Sequence, residues 1–145
     1  MGFLNLATRC LGIDLGTTSV IVAMKDKGVI INEPSIIAIE KKTGKLLATG
    51  YEAKEMLGRT PEKINVVRPV KGGVIADLSA TELMLKNIMN RINKKYGYAR
   101  TKAVIGVPSG ITEVEKRAVE EAMYEAGARE VYLIDEPLAA AIGAN

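Results

Sequence analysis

The stretch Gly12-Ile13-Asp14-Leu15-Gly16-Thr17-Thr18-Ser19 puts a carboxylate on an apolar segment, a glycine at a bend, and three successive hydroxyl residues in and just after it. Glycine lets the backbone approach a ligand closely, and the N–H groups and hydroxyls of such a turn can hold phosphate oxygens. Asp14 would meet the accompanying Mg²⁺ through water, because that ion keeps much of its hydration. An ordinary Gly-Thr hairpin turn with a solvated Asp fits the same residues, and spacing alone does not separate the two readings. A second pair of carboxylates, Asp135 and Glu136, stands between the apolar run ending at Ile134 and Pro137. Sheet proteins with parallel strands bind ligands at the strands' carboxyl ends, and a Glu136 turned to that cleft would orient a water for attack on a terminal phosphate. Alternatively, either carboxylate caps the following helix and offsets its dipole.

The composition removes other chemistries. With no histidine, the commonest general base and zinc ligand are missing, so carboxylates, hydroxyls, lysines or a bound hard cation must do any chemistry. The single cysteine, Cys10, forms no internal disulfide and has no histidine to activate it, which fits a reducing, cytoplasmic compartment. The turn from Gly106 to Gly110 lacks the three-glycine spacing of a dinucleotide fingerprint, and no Walker A sequence occurs. A net charge of +3, from 20 basic and 17 acidic residues, is too weak and too mixed for a nucleic-acid footprint. No apolar run is long enough to span a bilayer. The opening Met1-Gly2-Phe3-Leu4-Asn5-Leu6 lacks a basic lead and an acylation hydroxyl, so secretion and myristoylation are disfavoured.

At 145 residues the chain suits one domain or a large part of one. Leu11 to Leu15, Ser19 to Met24 and Val29 to Ile31 read as three antiparallel strands joined by tight turns. Ser35 to Ile39 and Lys45 to Ala48 read as a further strand pair, followed by a short helix from Glu52 to Leu57 that Thr60-Pro61 ends. Ser79 with Glu82 has capping-box spacing, and Met84, Leu85, Ile88, Met89 and Ile92 recur at helical spacing up to Gly97. Ala103 to Val107 reads as a buried strand. Thr112 with Glu115 opens the next helix, with Val114, Ala118, Val119, Ala122 and Met123 on one stripe and Gly127 at its stop. Val131 to Ile134 reads as another buried strand, and Glu136-Pro137 starts a last helix. Strands alternating with helices demand parallel pairing through right-handed crossovers. The expected fold is α/β, a mixed five-stranded sheet of the ribonuclease H-like kind with helices on its faces and an inserted region after the third strand.

Several blocks together resemble one family. Gly12 to Thr17 is similar to the first phosphate loop of the actin, Hsp70 and sugar-kinase superfamily. Asn32-Glu33-Pro34-Ser35, Gly58-Arg59-Thr60-Pro61, Arg68-Pro69 and Gly73 to Asp77 resemble the bacterial actin MreB family, as do Ile105 to Thr112 and Glu136 to Gly143, in the same order. The resemblance implies an actin-type half in which residues 1–33 and 78–145 form subdomain IA and 34–77 the small inserted subdomain IB. It also implies ATP with Mg²⁺ as cofactor: Gly16, Thr17 and Thr18 would hold phosphate, Asp14 would sit by the ion's water shell, and Glu136 would be the catalytic water-positioning residue. The partners implied are further copies in a filament, the inner face of the plasma membrane, and the cell-wall elongation machinery of rod-shaped bacteria, with no nucleic acid.

The chain departs from the family pattern in three respects. It stops at Asn145, before the second phosphate loop and the adenosine-binding glycines, so this portion alone is expected to be inactive as an ATPase. Asp135 stands where the family usually has Glu. Of the family's membrane anchors, Phe3, Leu4 and Leu6 and the Tyr96-Gly97-Tyr98 loop are mild versions, equally explained as a chain end and an ordinary loop. Two alternatives are a piece of another actin, Hsp70 or sugar-kinase-type ATPase and a non-catalytic truncated product.

Overall fold

The computed structural model describes residues 7–135. Three antiparallel strands, β1 (Thr8–Leu15), β2 (Ser19–Met24) and β3 (Gly28–Pro34), make a meander. The chain then forms β4 (Ile37–Glu40), β5 (Leu46–Thr49) and a six-residue helix, α1 (Gly50–Glu55). It continues through β6 (Ile64–Val67) and the two-residue strands β7 (Val70–Lys71) and β8 (Val74–Ile75). Helix α2 (Leu78–Tyr96), β9 (Arg100–Val107), α3 (Glu113–Glu125) and β10 (Ala128–Asp135) complete it. The main sheet has five strands in the order β10-β9-β1-β2-β3, with β9 parallel to both β1 and β10. This is the mixed ribonuclease H-like sheet expected.

Alternation fixes which face of that sheet is buried. Leu11, Ile13 and Leu15 of β1, Val20 and Val22 of β2, and Ala103, Ile105 and Val107 of β9 point to one side, where both long helices lie. Helix α2 covers them with Met84, Leu85, Ile88, Met89 and Ile92, and α3 with Val119 and Met123. Burying each of these large α2 side chains contributes about 1.5–3 kcal/mol, so packing holds this helix more than propensity does.

Among the described residues α2 and α3 share one face of the sheet; the helix expected after Glu136 lies outside the described residues. The opposite face carries Val104, 36% exposed, and Tyr132, 51% exposed. Among the described residues β10 is an edge strand of the sheet, with Val131 buried, Leu133 and Ile134 partly buried and Tyr132 exposed. Val114 leaves its expected stripe: it lies in the first turn of α3, where it is 74% exposed, and the buried stripe begins at Val119.

The cap expected for α3 is the one observed, and that of α2 lies two residues earlier than expected. The Thr112 hydroxyl accepts from the Glu115 amide at 3.1 Å and donates to its carboxylate at 2.9 Å. In α2 the cap is Asp77, whose carboxylate accepts from the Ala80 amide at 2.9 Å, so Ser79 already lies inside the helix. At the other end of α2, buried Arg9 donates to Asn93 Oδ1 at 2.9 Å and to the carbonyl of Gly97. A cation there complements the helix dipole, although burial pushes the guanidinium below its ordinary pKa.

The inserted region forms its own three-stranded sheet, β5-β4-β6. Its third strand was not anticipated, nor was the β7-β8 hairpin. Ile37 belongs to the main core, while Ile36, Ala38, Ala48 and Ala53 form a satellite cluster on the other side. An ion pair fastens the end of β3 to α2: Glu33 accepts both arms of the Arg91 guanidinium, at 2.9 and 2.5 Å. Gly50 packs on the same carboxylate. Its φ is 62°, and a Cβ there would stand 2.9 Å from Glu33 Cδ.

Candidate functional site

The turn between β1 and β2 lies at the carboxyl end of β1, and β9 and β10 end on the same side because they run parallel to it. Asp14 sits on β1 opposite Gly106 of β9, and Ile134 of β10 flanks Gly106 on its other side. Gly106 brings no side chain to the position beside Asp14. The sheet brings Asp14 and Asp135 to one end, with β9 between them and their register positions one residue out of step.

Asp14 is half-buried, and its Oδ1 is buried without a hydrogen-bond partner. A carboxylate oxygen in that position is costly unless something outside the described residues meets it. Gly16 closes the turn by donating its amide to the Ser19 carbonyl at 3.1 Å. A Cβ at Gly16 would stand 2.6 Å from that carbonyl oxygen, so only glycine fits without moving backbone. Thr17 is half-buried, and its hydroxyl oxygen accepts the Gly73 amide at 3.0 Å, which leaves the hydroxyl proton free to donate. Thr18 is exposed at the tip, its carbonyl accepting the Ser35 amide at 3.0 Å. Two hydroxyl donors and an orphaned carboxylate thus share one rim.

These groups suit a phosphate with a hydrated cation. Among the described residues no three carboxylate or cysteine side chains are grouped to hold an ion by themselves. Asp14 would meet Mg²⁺ through the water that this ion keeps around itself. Glu136, the expected water-positioning residue, lies outside the described residues, as do the helix expected after it and Phe3, Leu4 and Leu6. Sequence reasoning missed Gly73 as a neighbour of the turn; the only signal was the adjacent pair Gly72-Gly73.

A sheet ordered β3-β2-β1-β9-β10, with a glycine-hydroxyl turn after its central strand and a small sheet inserted after β3, is one half of an actin-type fold. Solved structures agree. MreB5 of Spiroplasma citri bound to ADP superposes with a TM-score of 0.82 at 36% identity, over 96% of this chain and 41% of that one. The MamK double helical filament, at 21% identity and a TM-score of 0.74, supports the fold alone. Residues 8–145 match the family model described as MreB/Mbl protein, and the chain belongs to that family. The cell shape-determining protein Mbl of Bacillus subtilis is 48% identical over 94% of this chain, and MreB of Escherichia coli K12 is 43% identical over 99% of it. The chain spans 41% and 43% of the length of these two relatives. No helix among the described residues is long and apolar enough to cross a membrane.

Proposed function

We propose that the chain is the N-terminal portion of an ATP-binding bacterial actin that assembles into filaments at the inner face of the plasma membrane and guides the cell-wall elongation machinery in setting rod shape. In this reading residues 1–33 and 78–145 are subdomain IA and 34–77 are subdomain IB. The observation that carries it is the partnerless Asp14 Oδ1 beside a turn whose Gly16 admits no side chain. The relatives named for cell shape support the biological role, and the ADP bound to MreB5 of Spiroplasma citri, together with the AMPPNP bound to the same protein in a second structure at 36% identity and a TM-score of 0.79, supports the nucleotide.

The chain's residues divide the work. The Thr17 hydroxyl donates its proton to a phosphate oxygen while its own oxygen stays anchored on the Gly73 amide, which fixes the rotamer before the ligand arrives. Thr18 donates from the exposed tip, and Gly16 keeps the backbone clear for close approach. Asp14 would hold the water shell of Mg²⁺, an ion that would neutralise phosphate charge when bound. Glu136 orients the attacking water, a role carried over from the family resemblance. The test is equilibrium binding of Mg-ATP to the complete polypeptide. Asp14→Ala is expected to weaken it at least about tenfold, since hydrogen bonds to charged groups are worth about 1.5–3 kcal/mol. Unchanged affinity would overturn the assignment.

A further inference from the structure

We infer that the end of the main sheet opposite the nucleotide turn holds a second anion site, built for a phosphate group. Because β1, β9 and β10 are parallel, their amino ends lie together there, around an open cavity of about 440 Å³ lined by Thr8, Arg100, Thr101, Lys102, Arg129 and Glu130. The register explains how two arginines come to share it. Ala128 sits opposite Thr101 and Glu130 opposite Lys102, so Arg129 is the extra residue of a β-bulge. Bulges re-aim side chains, and this one brings Arg129 to the cavity that Arg100 lines from β9.

The charges in the cavity are not balanced from within. Lys102 is occupied by Glu130 at 3.2 Å, which raises the lysine's pKa. Arg100 and Arg129 are both exposed and form no ion pair with any described residue. Guanidinium groups match phosphate oxygens two at a time, and Thr8 places a hydroxyl on the same wall. A neighbouring cavity of about 430 Å³ shares Thr8 and sets Arg9, Lys25 and Lys27 against the single carboxylate of Asp26, with Tyr98 also lining it. Positive potential therefore extends past the first cavity, with room for the rest of a phosphate ester. The phosphate could belong to a soluble ester or to a lipid headgroup. None of these residues belongs to the nucleotide turn.

The test uses the complete polypeptide and the charge-removing double variant Arg100→Gln/Arg129→Gln. Lys41→Gln/Lys42→Gln, at a distant basic turn, controls for net charge. Inorganic phosphate and glycerol 3-phosphate are titrated while the arginine Nε–H signals are followed by NMR. Vesicles of phosphatidylglycerol are compared with phosphatidylcholine by co-sedimentation. The expected result is that at least one phosphate source binds and that the arginine double variant loses about tenfold or more of that affinity, while the lysine control stays within about twofold. Soluble esters shifting both arginine signals would identify a small-molecule site, and binding confined to phosphatidylglycerol would identify a headgroup site. No binding to any source, or an equal loss in the lysine control, would overturn the inference. Asp14→Ala should leave this binding intact, so failure here and failure of the nucleotide reading are separable.

Discussion

The amide of Gly73 donates to the hydroxyl oxygen of Thr17 at 3.0 Å, joining residues 56 positions apart. The bond ties the β1-β2 turn to the tip of the β7-β8 hairpin, whose Gly72 and Gly73 have φ values of 55° and 74°. Thr17→Val keeps the side chain's shape and removes the acceptor. It should speed hydrogen exchange of the Gly73 amide and cost about 0.5–1.5 kcal/mol of stability, while Thr17→Ser should retain protection. Equal Gly73 protection in the valine variant would mean the hairpin is held by other contacts.

The orphaned oxygen of Asp14 sets function against stability. In the nucleotide-free protein, Asp14→Ala removes a buried, unsatisfied acceptor and should raise the unfolding free energy by about 1 kcal/mol. Denaturant unfolding measures it. A loss of stability would reassign the carboxylate to holding the fold.

Two neighbouring candidates for the cap of α2 can be told apart by substitution. Asp77→Ala should destabilise by about 1 kcal/mol, because the Ala80 amide loses its acceptor, whereas Ser79→Ala should stay within about 0.5 kcal/mol. Thermal unfolding of the two variants gives the ranking, and the reverse order would restore Ser79 as the cap.

Gly50 is expected to resist any side chain for two reasons at once: its positive φ and its contact with Glu33. Gly50→Ala should cost roughly 1–3 kcal/mol. Part of that cost should disappear in a Glu33→Ala background, where the 2.9 Å contact with the Glu33 carboxylate carbon is gone while the 3.1 Å contact with its Cβ and the strained φ remain. A double-mutant cycle reads the difference, and strict additivity would show that the carboxylate contact contributes nothing.

Glu136→Ala in the complete polypeptide should slow phosphate release and spare nucleotide binding, since positioning a water is a transition-state task. Undiminished release would leave Glu136 with the helix-capping role.

What the sequence disclosed follows from periodicity. The alternation in Leu11 to Leu15 and Ser19 to Met24 and the helical recurrence from Met84 to Ile92 are strong signals, and all three elements stand where they point. A two-residue strand has no period, so β7 and β8 were invisible, and with them the Gly73 contact. The run Ala103 to Val107 looked buried throughout because every residue in it is small or apolar. Val104 within it is nevertheless 36% exposed on the face away from α2 and α3, and local composition cannot report which face of a strand a neighbouring element covers. Asp77 and Ser79 are both good caps two positions apart, and only the hydrogen bond to Ala80 decides between them. The site divides the same way: Asp14, Gly16, Thr17 and Thr18 are contiguous and were legible, while the anchor of Thr17 comes from far along the chain.

The parallel pairing of β1 with β9, Thr8 against Arg100, also constrains how the protein is made. The meander of β1, β2 and β3 is complete while the ribosome still has the insertion and all of α2 to translate. At about 5–20 residues per second, the inner edge of β1 waits on the order of ten seconds for its neighbour. During that interval the central strand of the finished sheet is an edge strand, with unpaired amides and carbonyls and an apolar face not yet covered by α2. The nascent chain therefore passes through a sticky intermediate that its own topology makes unavoidable. Cysteine-free pulse-labelling or arrest-peptide force measurements should find the first strong compaction only after β9 has left the exit tunnel.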